Sequence, residues 1–197
     1  MIDRNKVVVL IIAVSWLCSS GCSTTHTTPI APNAIDWVKL ASHWTGAEDY
    51  RVEIVTFHDL KKSEQYHARF DLELTHHGLT LIAQTPLGVL LYELHVSDGK
   101  MTVKRHVDQL RGLPVEQTLA DFVLTYWPLD QLMEAAAAVG YSIHQADTIR
   151  SLRNSEDEIL VEVISESKGV DAVIKVVHHD IPLRIDIRTA SRRQIRQ

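Results

Sequence analysis

Eleven histidines are the first residues in this 197-residue sequence that invite a chemical reading. Two adjacent pairs stand out, His76-His77 and His178-His179. A zinc site needs three or four converging protein ligands. Neighbours along a strand point to opposite faces, so neither pair is a ready chelate. No HExxH or HxH spacing occurs. Both pairs lie beside turn signals and read as surface histidines at hairpin ends. Nucleophilic catalysis finds no Gly-x-Ser-x-Gly, and phosphate binding finds no glycine-rich loop. The carboxylates fall mostly on the polar sides of alternating stretches. No catalytic residue, metal or other cofactor is expected, and the chain reads as a non-enzyme.

The two cysteines, Cys18 and Cys22, point to a different chemistry. They follow a positive start (Arg4, Lys6) and an apolar run, Val7 to Leu17. That run suits a secretory signal and falls short of the roughly 20 residues of a membrane span. Ser19-Ser20-Gly21-Cys22 resembles a bacterial lipobox, although Ser19 stands where such motifs usually carry Leu. The resemblance implies cleavage before Cys22 and lipidation of its thiol. Cys18 would leave with the signal, and the mature domain would keep neither a free thiol nor a disulfide. Ser23 stands where Asp usually retains a lipoprotein at the inner membrane, so the outer membrane, periplasmic face, is implied.

The net charge of -5 argues against nucleic acid, whose binders carry a basic face. Arg184, Arg188, Arg192, Arg193 and Arg196 form a basic end on this acidic chain. Contact with anionic headgroups is one reading of them. A solvated strand edge with a frayed tail is the better one.

These residues must be positioned by the chain beyond the signal. Residues 22–34 read as a lipidated cysteine and a Ser/Thr/Pro-rich tether. Residues 35–197 read as one domain, long enough for a real core. Ile35 to Trp44 fits either a short helix or an extended lead-in. From Tyr50 the apolar period becomes two. Tyr66 to Thr75 is the cleanest strand, with Phe70, Leu72 and Leu74 on one face and Arg69, Asp71 and Glu73 on the other. Val89 to Val96 is apolar on both faces, with Leu91 on one side and Tyr92 and Leu94 on the other. Asp98-Gly99 is a hairpin signal. Tyr141 to Leu152 reads as one long mixed strand. Eight or nine strands in all must curl strongly or close. The exception is Val115 to Gly140, a helical stretch broken at Trp127-Pro128. Leu119, Phe122, Val123 and Tyr126 form one stripe, and Leu129, Leu132, Met133 and Ala136 a second. Both are expected to face the sheet, with Ala135 to Ala138 leaving room beneath. The fold class is therefore α+β, mainly antiparallel β, a strongly curved sheet or incomplete barrel under a helical lid. Periodicity alone favours a filled core over a ligand cavity.

The order of lipobox, tether, strands, helical insert and further strands resembles the LolA/LolB lipoprotein carriers. In those proteins an incomplete barrel with a helical lid encloses a lipid-binding cavity. Leu124 to Leu132 (LTYWPLDQL), Gly140-Tyr141, Arg150-Ser151-Leu152, Glu158 to Val161 and Gly88 to Leu94 (GVLLYEL) resemble a family of small bacterial lipoproteins encoded with aryl polyene biosynthesis genes. These resemblances imply a monomer held to the membrane by its anchor that binds or transfers a lipid, an aryl polyene lipid or an acylated protein. A structural lipoprotein contacting protein partners is the alternative. The implied cavity and lid residues are Leu119, Phe122, Val123, Tyr126, Trp127, Leu129, Leu132 and Met133, with Phe70, Leu72, Leu74 and Leu91 from the sheet. LolB-like proteins receive acyl chains with a protruding leucine in a turn. Leu87, in Pro86-Leu87-Gly88, is the nearest counterpart by strand order.

Overall fold

The computed structural model describes residues 34–107, 115–166 and 172–195. Cys22, the signal stretch, the tether before Ala34 and Arg196 lie outside them. The chain opens with a short helix, α1 (Trp37–Ala41). Asp36 caps it by accepting the Lys39 amide at 2.9 Å. Five strands come next as a meander: β1 (Asp49–Asp59), β2 (Glu64–Thr75), β3 (Gly78–Gln84), β4 (Leu90–Ser97) and β5 (Lys100–Arg105). Two helices succeed them, α2 (Val115–Tyr126) and α3 (Leu129–Ala137). A second meander closes the chain: β6 (Ser142–Ala146), β7 (Ile149–Arg153), β8 (Ile159–Ser165), β9 (Val173–His178) and β10 (Leu183–Gln194).

First and last strands pair, which joins the meanders into one ten-stranded sheet of order β5-β4-β3-β2-β1-β10-β9-β8-β7-β6, antiparallel at every pairing. Among the described residues β5 and β6 are its edge strands. Alternation places Val55 and Phe57, Phe70, Leu72 and Leu74, Leu81, Leu94, Val176, Ile185 and Ile187 on one buried face. A bulge at Ala83/Gln84 opposite Leu90 to Tyr92 buries two successive residues, Leu91 and Tyr92. This is how Leu91 joins the same core as its neighbour.

Turn chemistry sets the register. Asp98 and Gly99 both take positive φ, as a two-residue hairpin turn requires. Gly78 has φ 139°, and a Cβ there would lie 1.8 Å from the Val96 carbonyl oxygen. The tenth strand among the described residues comes from Asp147-Thr148, a turn that splits the expected single strand into β6 and β7. Asp147 sits at φ 50° without the help of glycine. The expected basic strand edge is corrected for Arg184 and Arg188, which lie where β10 is flanked by both β1 and β9; Arg192 and Arg193 run past β9 and pair with β1 alone.

The helical stretch breaks at Trp127-Pro128. Pro128 is extended (φ -54°, ψ 139°), and α3 starts immediately after it. Gly140 ends α3 in the left-handed region, with Tyr141 N–H donating to Ala136 (2.9 Å) and Gly140 N–H to Ala137 (3.2 Å). α2 differs from a one-sided lid. Gln117 through Leu124 are all buried, on every face of the helix. It is an internal helix of the core. Only the second half of the expected lid, α3, lies outside it, packed beside α1.

Candidate functional site

The break at Trp127 is where four elements are tied. Its indole is wholly buried, donates to the Leu40 carbonyl (3.1 Å) and meets Trp44 edge-on at 4.9 Å. Gln131 donates to the His43 carbonyl (2.9 Å). Arg150 reaches from β7 and donates one Nη1 to the carbonyls of Leu124 (2.7 Å) and Trp127 (3.0 Å). A cation there satisfies the orphan carbonyls at the C-terminus of α2 and opposes its dipole. Burial holds the guanidinium pKa below its usual value. Arg150→Met is expected to cost about 2 kcal/mol, the order of charge-assisted hydrogen bonds. A lowered urea midpoint with an unchanged m-value checks this.

The interior facing α2 is apolar at its centre and polar at three places. In the centre the Phe122 ring lies 5.3 Å from Phe70 and 5.9 Å from Tyr126. Phe70, Leu72 and Leu74 expose nothing to a water-sized probe, so no void of that size abuts them. Val123 and Trp127 are closed in the same way, and Leu119, Phe122 and Leu132 are buried to within 2%. Leu129 and Tyr126 are half-buried. Met133 is the correction: it is 48% exposed and does not face the sheet. Helix α3 turns that flank outward. The room expected beside the alanines lies on the outer side as well. A groove of about 490 Å³ runs between α1 and α3, lined by Leu40, His43, Gln131, Ala135, Ala138 and Val139 among others.

The first polar place is Tyr92 facing Thr118, where burial pushes the phenol far above its ordinary pKa. The second is an ion pair. Asp121 Oδ1 lies 3.1 Å from His178 Nε2 and accepts from Gln117 at 2.9 Å. His178 Nδ1 lies 3.9 Å from Asp180. Burial pulls the imidazole pKa down, but the Asp121 and Asp180 charges outweigh it and hold His178 above its usual value. The third lies at the far end of α2. Asp49 accepts from Arg51 (2.8 Å) and Arg192 (2.7 Å), and Arg51 stacks 4.3 Å over Tyr126. Beside them Thr189 donates to Glu53 (3.2 Å). Burial raises the Glu53 carboxyl pKa, against the lowering pull of Tyr126, Thr189 and Arg51.

Two sequence expectations are corrected here. His178 is not a surface histidine; its side chain is fully buried while His179 is exposed. Asp49, Glu53 and Asp121 are buried rather than wet. The readable signal was the composition of Val115 to Gly140. It holds no Lys or Arg, which a solvated helical face normally carries. The Asp121–His178 pair is sealed from solvent, so no substrate reaches it in this conformation. Among the described residues no group of three or more His, Cys, Asp or Glu is arranged to hold a metal. No described helix is long and apolar enough to cross a membrane.

At the outer end of β3, the turn Thr85 to Val89 is closed by three hydrogen bonds. Gly88 N–H donates to Thr85 O (2.9 Å), Thr85 N–H to Val89 O (2.8 Å) and Val89 N–H to Thr85 Oγ1 (3.1 Å). Gly88 takes φ 82°. This turn holds Leu87 out, 93% exposed, with Val89 beside it at 55%.

None of the curated proteins matches the chain. A DUF1329 family protein from Desulfovibrio piger is similar in structure at TM-score 0.43 and 8% identity, over 81% of this chain and 90% of that one. A domain described as a putative outer membrane lipoprotein-sorting protein domain, from Vibrio parahaemolyticus, is similar at TM-score 0.41 and 9% identity, over 82% and 93%. A family model matches residues 50–191, from the second residue of β1 into β10, so that β2 to β9, most of β1 and β10, and both helices of the insert fall within it. The chain belongs to the family described as "Protein of unknown function (DUF3261)".

Proposed function

We propose that this protein is a non-catalytic lipoprotein of the outer membrane, facing the periplasm, that binds or passes on a hydrophobic molecule. The ligand class is a lipid, an aryl polyene lipid or an acylated protein. One observation carries the reading: Leu87 stands 93% exposed on a hydrogen-bonded turn. A leucine held in water forgoes about 1.5–3 kcal/mol that burial would supply. A hydrogen-bonded turn that withholds that gain from the core offers it to an incoming acyl chain. The lipobox-like Ser19 to Cys22, the tether and the resemblance to LolA/LolB carriers support the same reading. Entry beneath α2 requires that helix to move, because its apolar contacts are closed. The polar places along α2 favour such a movement, since water can re-solvate what separation exposes.

Transfer of a fluorescent fatty acid from donor to acceptor vesicles tests the proposal. Leu87→Asp is expected to slow transfer about tenfold, the equivalent of roughly 1.4 kcal/mol. Its urea midpoint stays within the small range of surface substitutions. Equal rates for both proteins overturn the assignment of Leu87. A second reading, a structural lipoprotein that contacts protein partners, is favoured by the closely packed interior. Recovery of a stable stoichiometric partner from membranes, with no fatty-acid transfer, would support that reading instead.

A further inference from the structure

Four of the eight large hydrophobic residues exposed among the described ones lie in or beside two adjoining turns: Leu60 (53%), Tyr66 (47%), Leu87 and Val89. The register explains why they share a rim. Asp59 pairs with both Glu64 and Leu183, and β3 ends at Gln84 opposite Arg69. The β1–β2 hairpin therefore runs five residues past the last β2–β3 pairing, alongside the Thr85–Val89 turn. Its tip is built rather than loose. Leu60 N–H donates to the Pro182 carbonyl (2.9 Å), and the amides of Lys61 and Lys62 both donate to Asp59 Oδ1 (3.0 Å). The Lys62 ammonium sits 3.5 Å from Asp59, and the Tyr66 hydroxyl donates to Glu64.

We infer that this rim is a two-pronged contact with the bilayer interface, in which Leu60 and Leu87, at the tips of neighbouring hairpins, both enter the headgroup–acyl boundary. The chemistry selects this occupant. Tyr66 presents an apolar ring with a polar tip, and Lys61 and Lys62 carry apolar stems with charged ends. That combination suits the interfacial layer. Lysine is depleted at protein–protein interfaces, and tips that project from hairpins provide no concave surface for a partner to fill. Asp59 and Glu64 offset the two lysines, so the contact does not depend on anionic lipid. The inference rests on the acyl-handling reading for Leu87 alone; Leu60, Tyr66 and the lysines are new to it.

An environment-sensitive fluorescent amino acid replacing Leu60, Leu87 or, at the opposite end of the sheet, Asp98 tests it in the full chain. The chain is reconstituted in protein-free phosphatidylcholine vesicles, with and without brominated acyl chains. Strong bromine quenching at positions 60 and 87, with none at 98, is the expected result. Quenching at 87 alone overturns the second prong and leaves the acyl-handling reading standing. Silence at both positions overturns both. Equal quenching at 98 overturns the rim as the membrane-facing end. An added fraction of phosphatidylglycerol is expected to leave the pattern unchanged; a contact that forms only with it overturns the neutral-interface chemistry.

Discussion

His178→Leu is expected to destabilise the fold by about 3–5 kcal/mol, because it leaves the Asp121 carboxylate buried without its cation. Gln117 remains as a donor to Asp121 Oδ1 among the described residues. Asp121→Leu combined with His178→Leu is expected to recover most of that loss, since an apolar pair of suitable volume removes the stranded charge. The same pair gives the wild type a pH signature. His178 binds its proton more tightly folded than unfolded, because Asp121 and Asp180 outweigh the effect of burial. Its contribution is fully present below the unfolded value of about 6.5 and is lost as pH rises through the raised folded value. Glu53 acts with the same sign. Its folded pKa is raised by burial, so its contribution is present below about 4.5 and lost as pH rises through the folded value. Urea denaturation across the mildly acidic to alkaline range is expected to show wild-type stability falling with pH. The His178→Leu protein is expected to show a flatter profile over the upper part of that range. A loss under about 1 kcal/mol in this variant, with the wild-type slope kept, would mean that the pair is not charged.

Trp127→Ala is expected to be about as damaging, at roughly 3–5 kcal/mol for a fully buried large aromatic. Its particular consequence is local. The indole holds α1 through the Leu40 carbonyl and Trp44, so α1 should loosen before the sheet does. Limited proteolysis is expected to cut first between Ser42 and Glu48, with the strands still protected. Trp127→Phe keeps the ring contact with Trp44 and loses only the donor, and it is expected to fall between the two. Even protection of Ser42 to Glu48 in Trp127→Ala would show that α1 is held by other contacts, such as the Gly99 amide donating to Ser42 Oγ.

Much of this fold was legible from period and turn residues. β2 and the Asp98-Gly99 hairpin followed from strict alternation and a turn pair that accepts positive φ. The two helices and their break followed from apolar spacing and Pro128. Asp147-Thr148 was missed because a turn without Gly or Pro carries almost no local signal. The place of β10 was missed because pairing between the chain's two ends is a long-range property that its arginines obscured. The largest error concerned α2. Gln117, Thr118 and Asp121 look like a wet face beside Leu119 and Phe122, yet sheet and helices bury both sides. The apolar stripe is a local pattern, while only the curvature of the sheet decides how much of the helix it encloses. Leu87 was legible as a turn residue, but its exposure depends on the local bonds of Thr85 to Val89.

The acyl-handling reading is tested most directly by lipid extraction of the protein purified from membranes, coupled to mass spectrometry. Wild-type protein is expected to yield near-stoichiometric lipid beyond any covalent anchor, and Leu87→Asp protein much less. Lipid-free wild-type protein that also fails to bind a fatty-acid probe would contradict the reading and leave a packed structural domain in its place.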